Sequence, residues 1–283
     1  MSESVTAPVS IGAQSANPVS SANGQRDGRA TAAPGVRVRL SARERAVVEA
    51  VAQLGQLTAR QIGELGGFAG LKSATPLKRT LKRLTDRGVL VRLQLRIVGG
   101  SGGGSTTFVY QIGRVGGRLL GLPRDYPRYS AVDDHMLDTA ECLVVLKRLE
   151  HSGVLTVLDY QGEDAAYREV AGVKLTPDLY VRVRLHASGR QLFRHLELDR
   201  ATERLGQIAE KCGRYFQAYK LWDSEVHGAV FPRVLFVVPD ERRQREIARV
   251  IAKQPQEARP IFQVCVMADF PACLLTEVGY PQE

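Results

Sequence analysis

Closely spaced helix signals within residues 41–88 constrain the fold of this chain more than any other feature. Ser41 and Glu44 stand at capping-box spacing at the start of SARERAVVEAVAQLG, whose apolar residues recur at helical intervals. Thr58 and Gln61 repeat this spacing at the start of TARQIGEL, which a Gly-Gly pair ends. The two segments are therefore predicted to form two short, successive helices.

A third helix is predicted to follow after a short loop. Ser73 or Thr75 is expected to cap it, Pro76 lies in its first turn, and Gly88 closes it. Its sequence, LKRTLKRLTDRG, places leucines on one face and basic residues on the other. We expect the three helices to form one unit, with the third contributing the inward-facing residues Leu77, Leu81 and Leu84.

A long β-hairpin is predicted directly after the third helix. Its two strands are VLVRLQLRIV and TTFVYQI, and a glycine-rich turn at residues 99–105 joins them. Three helices followed by such a hairpin are typical of a winged helix-turn-helix, in which the hairpin forms the wing. The glycine-rich tip is expected to lie along a DNA backbone or in the minor groove.

The third helix and the first strand of the hairpin supply candidate DNA-binding side chains. Lysine and arginine reach phosphates and guanine edges, and residues near the start of a recognition helix usually enter the major groove. Thr80 is expected to add a neutral hydrogen-bonding group to this polar face. The alternative interpretation is an ordinary solvated face. The predicted DNA-binding residues are Thr75, Lys78, Arg79, Lys82, Arg83, Arg87, Arg92 and Arg96.

The surplus positive charge of the chain is concentrated in one third of its length. Residues 36–128 contain 17 lysines and arginines against five acidic residues, a net charge of +12 in a chain whose total is +9. This distribution is typical of a nucleic-acid-binding module joined to a near-neutral domain. We therefore predict a disordered tail at residues 1–35, a winged-helix DNA-binding domain at 36–128 and a second domain at 129–283.

The sequence favours a cytoplasmic protein that does not bind membranes. No apolar run approaches the roughly 18 residues of a membrane span, and the N-terminus lacks the pattern of a secretory signal. The four cysteines are widely scattered and fit no zinc-binding spacing, so they are predicted to be reduced thiols.

The second half of the chain has the predicted element order α-β-β-β-α-β. The segments, in order, are VDDHMLDTAECLVVLKRLE, VLTVLDY, VKLTPDLYVRVRL, RQLFRHLELD, ATERLGQIAEKCGRYFQAYK and RVLFVVP. A further helix, ERRQREIARVIAKQ, and a last strand, IFQVCVMADF, follow. The order resembles the restriction-endonuclease-like core of the PD-(D/E)xK superfamily, and the whole chain is predicted to be α/β.

The residues that resemble the motif of that superfamily are Pro177-Asp178 and Glu197-Leu198-Asp199. The resemblance implies that Asp178 and Glu197 hold Mg²⁺, which polarises a phosphate and activates water. Asp199 stands where the motif has its catalytic lysine, a departure that puts catalysis in doubt, and Lys211 or Arg200 is a possible replacement. Alternatively, the three carboxylates form salt bridges in an inactive domain, with Arg200, Arg194 and Lys211 as partners.

Several other polar residues of the second half are weaker candidates. Glu203 or Glu141 could add a metal ligand. His135 lies in an acidic cluster that is more simply explained as the start of a helix, where carboxylates oppose the macrodipole. His195 lies two positions before Glu197 and is expected to share its face of the strand as a half-buried residue.

Both halves together resemble the replication-relaxation family over about residues 40–250. The resemblance rests on LTARQIGEL, LKRTLKRLTDRGVL, FVYQIGRVGGRLL, TPDLYV, LELDRATERL and FPRVLFVVPDERR. It implies a role on DNA in the replication, relaxation or mobilisation of a plasmid or other mobile element. The implied partners are double-stranded DNA and replication or conjugation proteins, and a homodimer is expected because winged helices commonly read paired half-sites.

Three functions therefore remain open at the level of sequence. The first is a non-catalytic, sequence-selective DNA-binding factor of replication or mobilisation. The second is a Mg²⁺-dependent endonuclease or nickase that uses Asp178 and Glu197. The third is a winged-helix transcriptional repressor, which differs from the first only in the DNA that it binds.

Overall fold

The computed structural model of the chain describes residues 39–93, 96–98, 105–228 and 230–276. The predicted tail at 1–35 and the tip of the glycine-rich turn at 99–104 lie outside these residues. The helices are α1 (Ala42–Leu54), α2 (Ala59–Leu65), α3 (Thr75–Asp86), α4 (Arg114–Leu120), α5 (Asp134–His151), α6 (Glu163–Ala166), α7 (Leu205–Lys220), α8 (Ser224–His227), α9 (Glu241–Ala252) and α10 (Phe270–Leu275). No helix in the described ranges has both the length and the apolar character needed to cross a membrane.

Within the part of the chain that the structure describes, the strands form one large mixed sheet and three small antiparallel ones. The strands are β1 (Gln56–Thr58), β2 (Leu90–Arg92), β3 (Arg96–Val98), β4 (Ser105–Thr107), β5 (Val109–Ile112), β6 (Leu155–Gly162), β7 (Arg168–Val170), β8 (Val173–Leu175), β9 (Leu179–Leu185), β10 (Gln191–Leu198), β11 (Arg233–Val238) and β12 (Phe262–Val266). The predicted α/β class is therefore confirmed as a mixed α/β fold with a mixed sheet.

Local capping chemistry fixes the starts of the first two helices. Capping boxes at Ser41 and Thr58 open α1 and α2, as the sequence predicts. The prediction for α3 is only partly right, because its N-cap is Ala74. The Ser73 hydroxyl nevertheless accepts a hydrogen bond from the backbone N–H of Thr75 at 3.1 Å, which satisfies one of the free amides of the first turn.

The predicted hairpin is present and consists of two successive pairs of strands. Strands β2 and β5 pair antiparallel at its base, and β3 pairs antiparallel with β4 farther out. The structure adds a strand that the sequence pattern did not predict: β1 lies between α1 and α2 and pairs with the free edge of β5. The base is therefore a three-stranded sheet in the order β1-β5-β2, next to the three helices.

Helix α4 lies against the turn that joins α3 to β2. The backbone N–H of Gly113 donates to Val89 O at 2.9 Å, and that of Val115 donates to Gly88 O at 3.2 Å. A Cβ atom at Gly116 would lie 2.3 Å from the oxygen of Val89. Only glycine permits this approach, so the GRVGGRLL segment places α4 beside the C-terminal end of α3.

The large sheet has the strand order β12-β11-β10-β9-β6. Strand β9 is antiparallel to both β6 and β10, whereas β10, β11 and β12 run parallel. Helices α7 and α9 cover one face, where they share an apolar core with Val234, Phe236 and Val238 of β11. Leu235 and Val237 alternate with these residues and are buried on the opposite face, the side on which α5 packs.

Two predicted elements of the second half have different boundaries in the structure. The predicted strand VKLTPDLYVRVRL is divided between β8 and β9, because Pro177 has no N–H to donate to a strand ladder. The helix predicted from Ala201 begins at Leu205. Ala201 has a φ of +61°, a left-handed conformation that cannot continue into a right-handed helix.

Buried glutamines of β1, α2 and β5 join the N-terminal elements to the second half of the chain. Gln56 Nε2 donates to Ala131 O at 2.9 Å, and Gln61 Nε2 donates to Leu137 O at 2.7 Å. Gln111 donates to the oxygen of Tyr129 and accepts from its N–H. Since an unpaired buried amide is costly, these bonds fix the connecting segment and the start of α5 against the small sheet.

Candidate functional site

Helix α3 presents a continuous basic face to solvent. Leu81 and Leu84 are buried beneath it, which orients the charged residues outward. Thr80 is 8% exposed, so the expectation that it joins the polar face is wrong. The predicted residues of α3 and its C-cap that are exposed are Thr75, Lys78, Arg79, Lys82, Arg83 and Arg87.

Two residues of this face already have carboxylate partners. Arg83 Nε lies 2.7 Å from Oε1 of Glu44, a buried carboxylate of α1. Lys82 Nζ lies 2.6 Å from Oδ2 of Asp86 across one exposed helical turn. An exposed ion pair contributes little to stability, so Lys82 can exchange Asp86 for a phosphate. Arg83 differs because it also compensates the buried charge of Glu44.

The base of the hairpin adds one exposed basic group to the same part of the chain. The Arg92 guanidinium lies 4.4 Å from the ring centroid of Phe108, a cation–π contact that holds the side chain across the hairpin. Arg96 lies in β3, where only the backbone is described. Its predicted contact with DNA stays a prediction.

A second group of polar residues surrounds Glu197 near the end of β10. Glu197 is 2% exposed, and its side chain points toward α7. Lys211 Nζ donates to Glu197 Oε2 at 2.9 Å and to Glu203 Oε1 at 3.0 Å. The Tyr215 hydroxyl donates to Glu197 Oε1. The structure thus brings the predicted pair of Glu197 and Lys211 together.

The environment of Glu197 also changes its acidity. Burial raises the pKa of this carboxyl to about 7, and the negative charge of Asp178 adds to the rise, while Lys211 and Tyr215 oppose it. Burial lowers the pKa of Lys211, but the carboxylates of Glu197 and Glu203 outweigh this effect and the net shift is upward. The lysine therefore stays cationic and neutralises Glu197 whenever that group is ionised.

Asp178 lies just before β9, one position beyond the last pair of the β9–β10 register, Leu179 with Leu196. This places it opposite Glu197 at the ends of two adjacent strands, as the motif resemblance implies. The backbone N–H of Leu198 donates to Asp178 Oδ2 at 2.7 Å. His135 Nε2, from the first turn of α5, lies 3.0 Å from Asp178 Oδ1.

Asp199 has a different partner from those of Asp178 and Glu197. It is 4% exposed, and the Arg243 guanidinium of α9 binds both of its carboxylate oxygens, with Nη2 at 3.3 Å from Oδ1. Arg243 Nη2 also donates to Glu203 O at 2.6 Å. Arg200, a partner suggested by the sequence, instead pairs with Asp134 and Asp138 on α5.

The remaining weaker candidates have structural partners. Glu141 binds the side chains of Arg60 and Gln61 and lies in the contact between α5 and α2. Asp133 is the N-cap of α5 and accepts hydrogen bonds from the N–H groups of its first turn. This agrees with the interpretation of the acidic cluster around His135 as a helix start.

The geometry of the carboxylates does not fit a Mg²⁺ ion. Each oxygen of Glu197 already accepts a hydrogen bond, and one of the two donors is the cation Lys211. Both oxygens of Asp178 also have partners. Among the residues that the structure describes, no three His, Cys, Asp or Glu side chains gather as metal ligands. The two carboxylates are therefore members of a hydrogen-bond network that includes the cation Lys211.

His195 lies beside this network and is more deeply buried than the sequence suggested. It is 1% exposed, packs edge-on or tilted against Tyr180, Tyr215 and Phe231, and its Nδ1 has no hydrogen-bond partner among the described residues. Burial, with a contribution from Arg168, lowers the pKa of His195 to about 3.

This depressed pKa predicts a loss of stability in acid. The unfolded chain binds a proton near pH 6.5 and the folded chain does not, so the His195 contribution is present above pH 6.5 and is lost as the pH falls. We expect about 2–3 kcal/mol of loss between pH 7 and pH 4.5 from this residue. Between pH 7 and pH 4.5 the free energy of unfolding, measured in urea, should fall by that amount more in the wild type than in His195→Phe. His151→Phe, which replaces an exposed histidine, is the control. An equal decrease of the unfolding free energy with pH in the wild type and in His195→Phe would contradict the prediction.

The sequence did not assign Tyr215, His135 and Arg243 as partners of the three carboxylates. The spacing of Lys211 and Tyr215, one helical turn apart, could have indicated that both face Glu197. No local signal links His135 to Asp178 or Arg243 to Asp199, since 43 and 44 residues separate the partners.

Comparison with protein-family models shows the family of this chain. No curated protein and no solved structure matches the chain. The model of the replication-relaxation family matches residues 48–234, which is more than half of the chain and includes α3, the hairpin, Asp178, Glu197 and Lys211. The chain therefore belongs to the replication-relaxation family, and this membership suggests a role in the replication or relaxation of mobile elements.

Proposed function

We propose that this protein is a sequence-selective, non-catalytic DNA-binding factor in the replication, relaxation or mobilisation of a plasmid or other mobile element. Its N-terminal part acts as a winged helix-turn-helix, with α3 in the major groove and the hairpin as the wing. Its second part is a PD-(D/E)xK-like domain without nuclease activity. The proposed active form is a homodimer that reads paired half-sites.

The order and pairing of the N-terminal elements support the winged helix. Three helices precede a hairpin, and a short strand between the first two helices completes a small sheet at the base of that hairpin. This arrangement leaves the face of α3 opposite its buried leucines open to solvent, as a recognition helix requires.

The observation that carries the proposal is the exposed basic face of α3. Lys78, Arg79 and Arg87 are exposed and form no ion pair among the described residues, so their charges are free to neutralise phosphates. The rest of the chain, from residue 129 onward, carries a small acidic excess. Attraction to a polyanion is therefore strongest where this helix lies.

The topology of the second part supports its assignment as a nuclease-like domain. In α5-β6-β9-β10-α7-β11, two antiparallel steps are followed by one parallel step across adjacent strands. Asp178 and Glu197 lie at the strand positions that the superfamily motif would give them. Their oxygens are engaged by His135, Lys211, Tyr215 and a backbone amide, which favours a structural role over a catalytic one.

DNA binding can be tested directly with the full-length protein. Fluorescence anisotropy of a labelled 30-base-pair duplex, measured between 50 and 300 mM salt, should give an affinity that falls linearly with log salt. Selection of bound fragments from plasmid and genomic DNA would then show whether the preferred site lies in a replication region or at a promoter. An absence of salt-dependent binding would overturn the proposed function.

Supercoiled plasmid tests the assignment of the second domain. We expect no Mg²⁺-dependent or Mn²⁺-dependent nicking relative to EDTA, because Lys211 already compensates Glu197. Gel analysis of the wild type beside Asp178→Ala and Glu197→Gln would check this. Nicking by the wild type that both variants lose would show that the domain is a nuclease.

A further inference from the structure

Four arginines outside the predicted recognition surface line one open concavity. Arg114 and Arg118 stand one turn apart on α4, and Arg124 and Arg128 lie in the segment that follows it. All four are exposed, and the concavity between them has a volume of about 450 Å³.

The turn after α4 brings the two pairs of arginines together. Gly121 ends α4 in a left-handed conformation, and the N–H of Leu122 donates back to Gly117 O at 2.9 Å. The chain therefore reverses toward the helix that it has just left. Arg128 Nη2 lies 3.8 Å from the position that a Cβ atom at Gly117 would occupy, so this guanidinium lies beside α4.

The charges of this concavity are not compensated within the described part of the chain. Other arginines of the same region have carboxylate partners: Arg60 binds Glu141, and Arg83 binds Glu44. No ion pair joins Arg114, Arg118, Arg124 or Arg128 to an acidic residue that the structure describes. Four like charges in one concavity repel each other, and a bound anion would relieve that repulsion.

The shape and position of the site indicate which anion it binds. Its volume and exposure exceed what a single small phosphate would need and suit a stretch of sugar-phosphate backbone. Arginine guanidinium groups bind phosphates in bidentate geometry. The first turn of α4 also hydrogen-bonds to Gly88 and Val89, directly after α3. The concavity thus lies in the same part of the chain as the basic face, beyond the C-terminal end of α3.

We propose that the arginine concavity, formed by Arg114, Arg118, Arg124 and Arg128, binds the sugar-phosphate backbone of DNA at a place separate from the basic face of α3. This inference rests on the proposed function, since it requires that the protein binds DNA. It adds a sequence-independent contact to the sequence-selective contacts of α3.

The double variant Arg124→Gln/Arg128→Gln tests the inference in the full chain. Each lost phosphate contact removes about 0.9 from the slope of log affinity against log salt, so we expect a decrease of about 1.8 and at least about tenfold weaker binding at 0.1 M salt. The preferred sequence should not change. The charge-matched control is Arg184→Gln/Arg214→Gln, which removes two exposed arginines of β9 and α7 and should keep the wild-type slope.

A charge-retaining variant separates phosphate contacts from structural damage. Arg124→Lys/Arg128→Lys should keep most of the slope, because lysine also neutralises a phosphate. Urea unfolding should show that all variants are folded. If the wild type binds DNA and Arg124→Gln/Arg128→Gln keeps its slope, or lowers it no more than the control does, the arginine concavity is not a DNA site and the proposed function stands. If the wild type shows no salt-dependent binding, both proposals fail.

Discussion

Replacement of Lys78, Arg79 and Lys82 by glutamine should weaken binding to duplex DNA by about 100-fold at 0.1 M salt. The three side chains are exposed on α3, and each is expected to neutralise a phosphate or contact a base edge. Loss of three phosphate contacts would lower the slope of log affinity against log salt by about 2.7. Anisotropy titrations over a range of salt concentrations measure both quantities.

The design of this variant follows from the ion pairs of α3. Arg83 is left in place because its removal would leave Glu44, which is 4% exposed, without its cationic partner, and a loss of folding could then imitate a loss of binding. Arg184→Gln/Arg214→Gln/Arg249→Gln removes the same charge from exposed positions in the second half of the chain. Equal loss of affinity in both triple variants would show that net charge, and not α3, determines binding.

Replacement of Arg243 by methionine should destabilise the fold by about 3–5 kcal/mol. The side chains of Arg243 and Asp199 are 6% and 2% exposed, so the variant leaves a buried carboxylate without its cation. It also removes the hydrogen bond to Glu203 O, which holds the turn before α7. Urea denaturation, followed by circular dichroism, gives the free energy of unfolding.

The adjacent residue provides a matched control. Arg242 forms an exposed i,i+4 pair with Glu246, its side chain is 79% exposed, and Arg242→Met should cost less than about 1 kcal/mol. In Asp199→Asn/Arg243→Met both charges are removed, so the double variant should be less destabilised than the sum of the single ones. Similar effects of Arg242→Met and Arg243→Met would show that the buried pair contributes little.

These two experiments address different parts of the molecule. The α3 variant should alter DNA binding and leave the unfolding free energy nearly unchanged. The Arg243 variant acts on the link between β10, the turn before α7 and α9. If the second half of the chain is a structural partner of the proposed winged helix, residual DNA binding by Arg243→Met should follow the fraction of folded protein.

Much of the local structure could be predicted because its causes lie within a few residues. The capping boxes at Ser41 and Thr58 depend on contacts three residues apart, and both are present. Alternation along β9, and helical periodicity in α5 and α7, reflect which face of each element is buried. Pro177 and Ala201 changed predicted boundaries because a missing N–H and a left-handed φ overrode the periodic pattern.

The candidate site was only partly predictable for a related reason. The resemblance to the superfamily motif implied that Asp178 and Glu197 lie on adjacent strands, with Lys211 or Arg200 as a substitute cation, and the structure brings Lys211 to Glu197. Neither the motif nor the sequence spacing predicted that His135 meets Asp178 or that Arg243 binds Asp199. These partners decide whether the carboxylates are available to a metal ion.

Several features of this protein are local in origin: the capped helices, the alternating pattern of β9 and the concentration of positive charge in residues 36–128. Each depends on residue types and spacing, which any chain of this sequence carries before it folds. The pairing of charges instead depends on how the chain folds, because a hydrogen bond or ion pair needs its atoms within about 3–4 Å. Packing of α7 and α9 on the sheet neutralised Glu197 and Asp199, and the reversal after α4 gathered the arginine concavity.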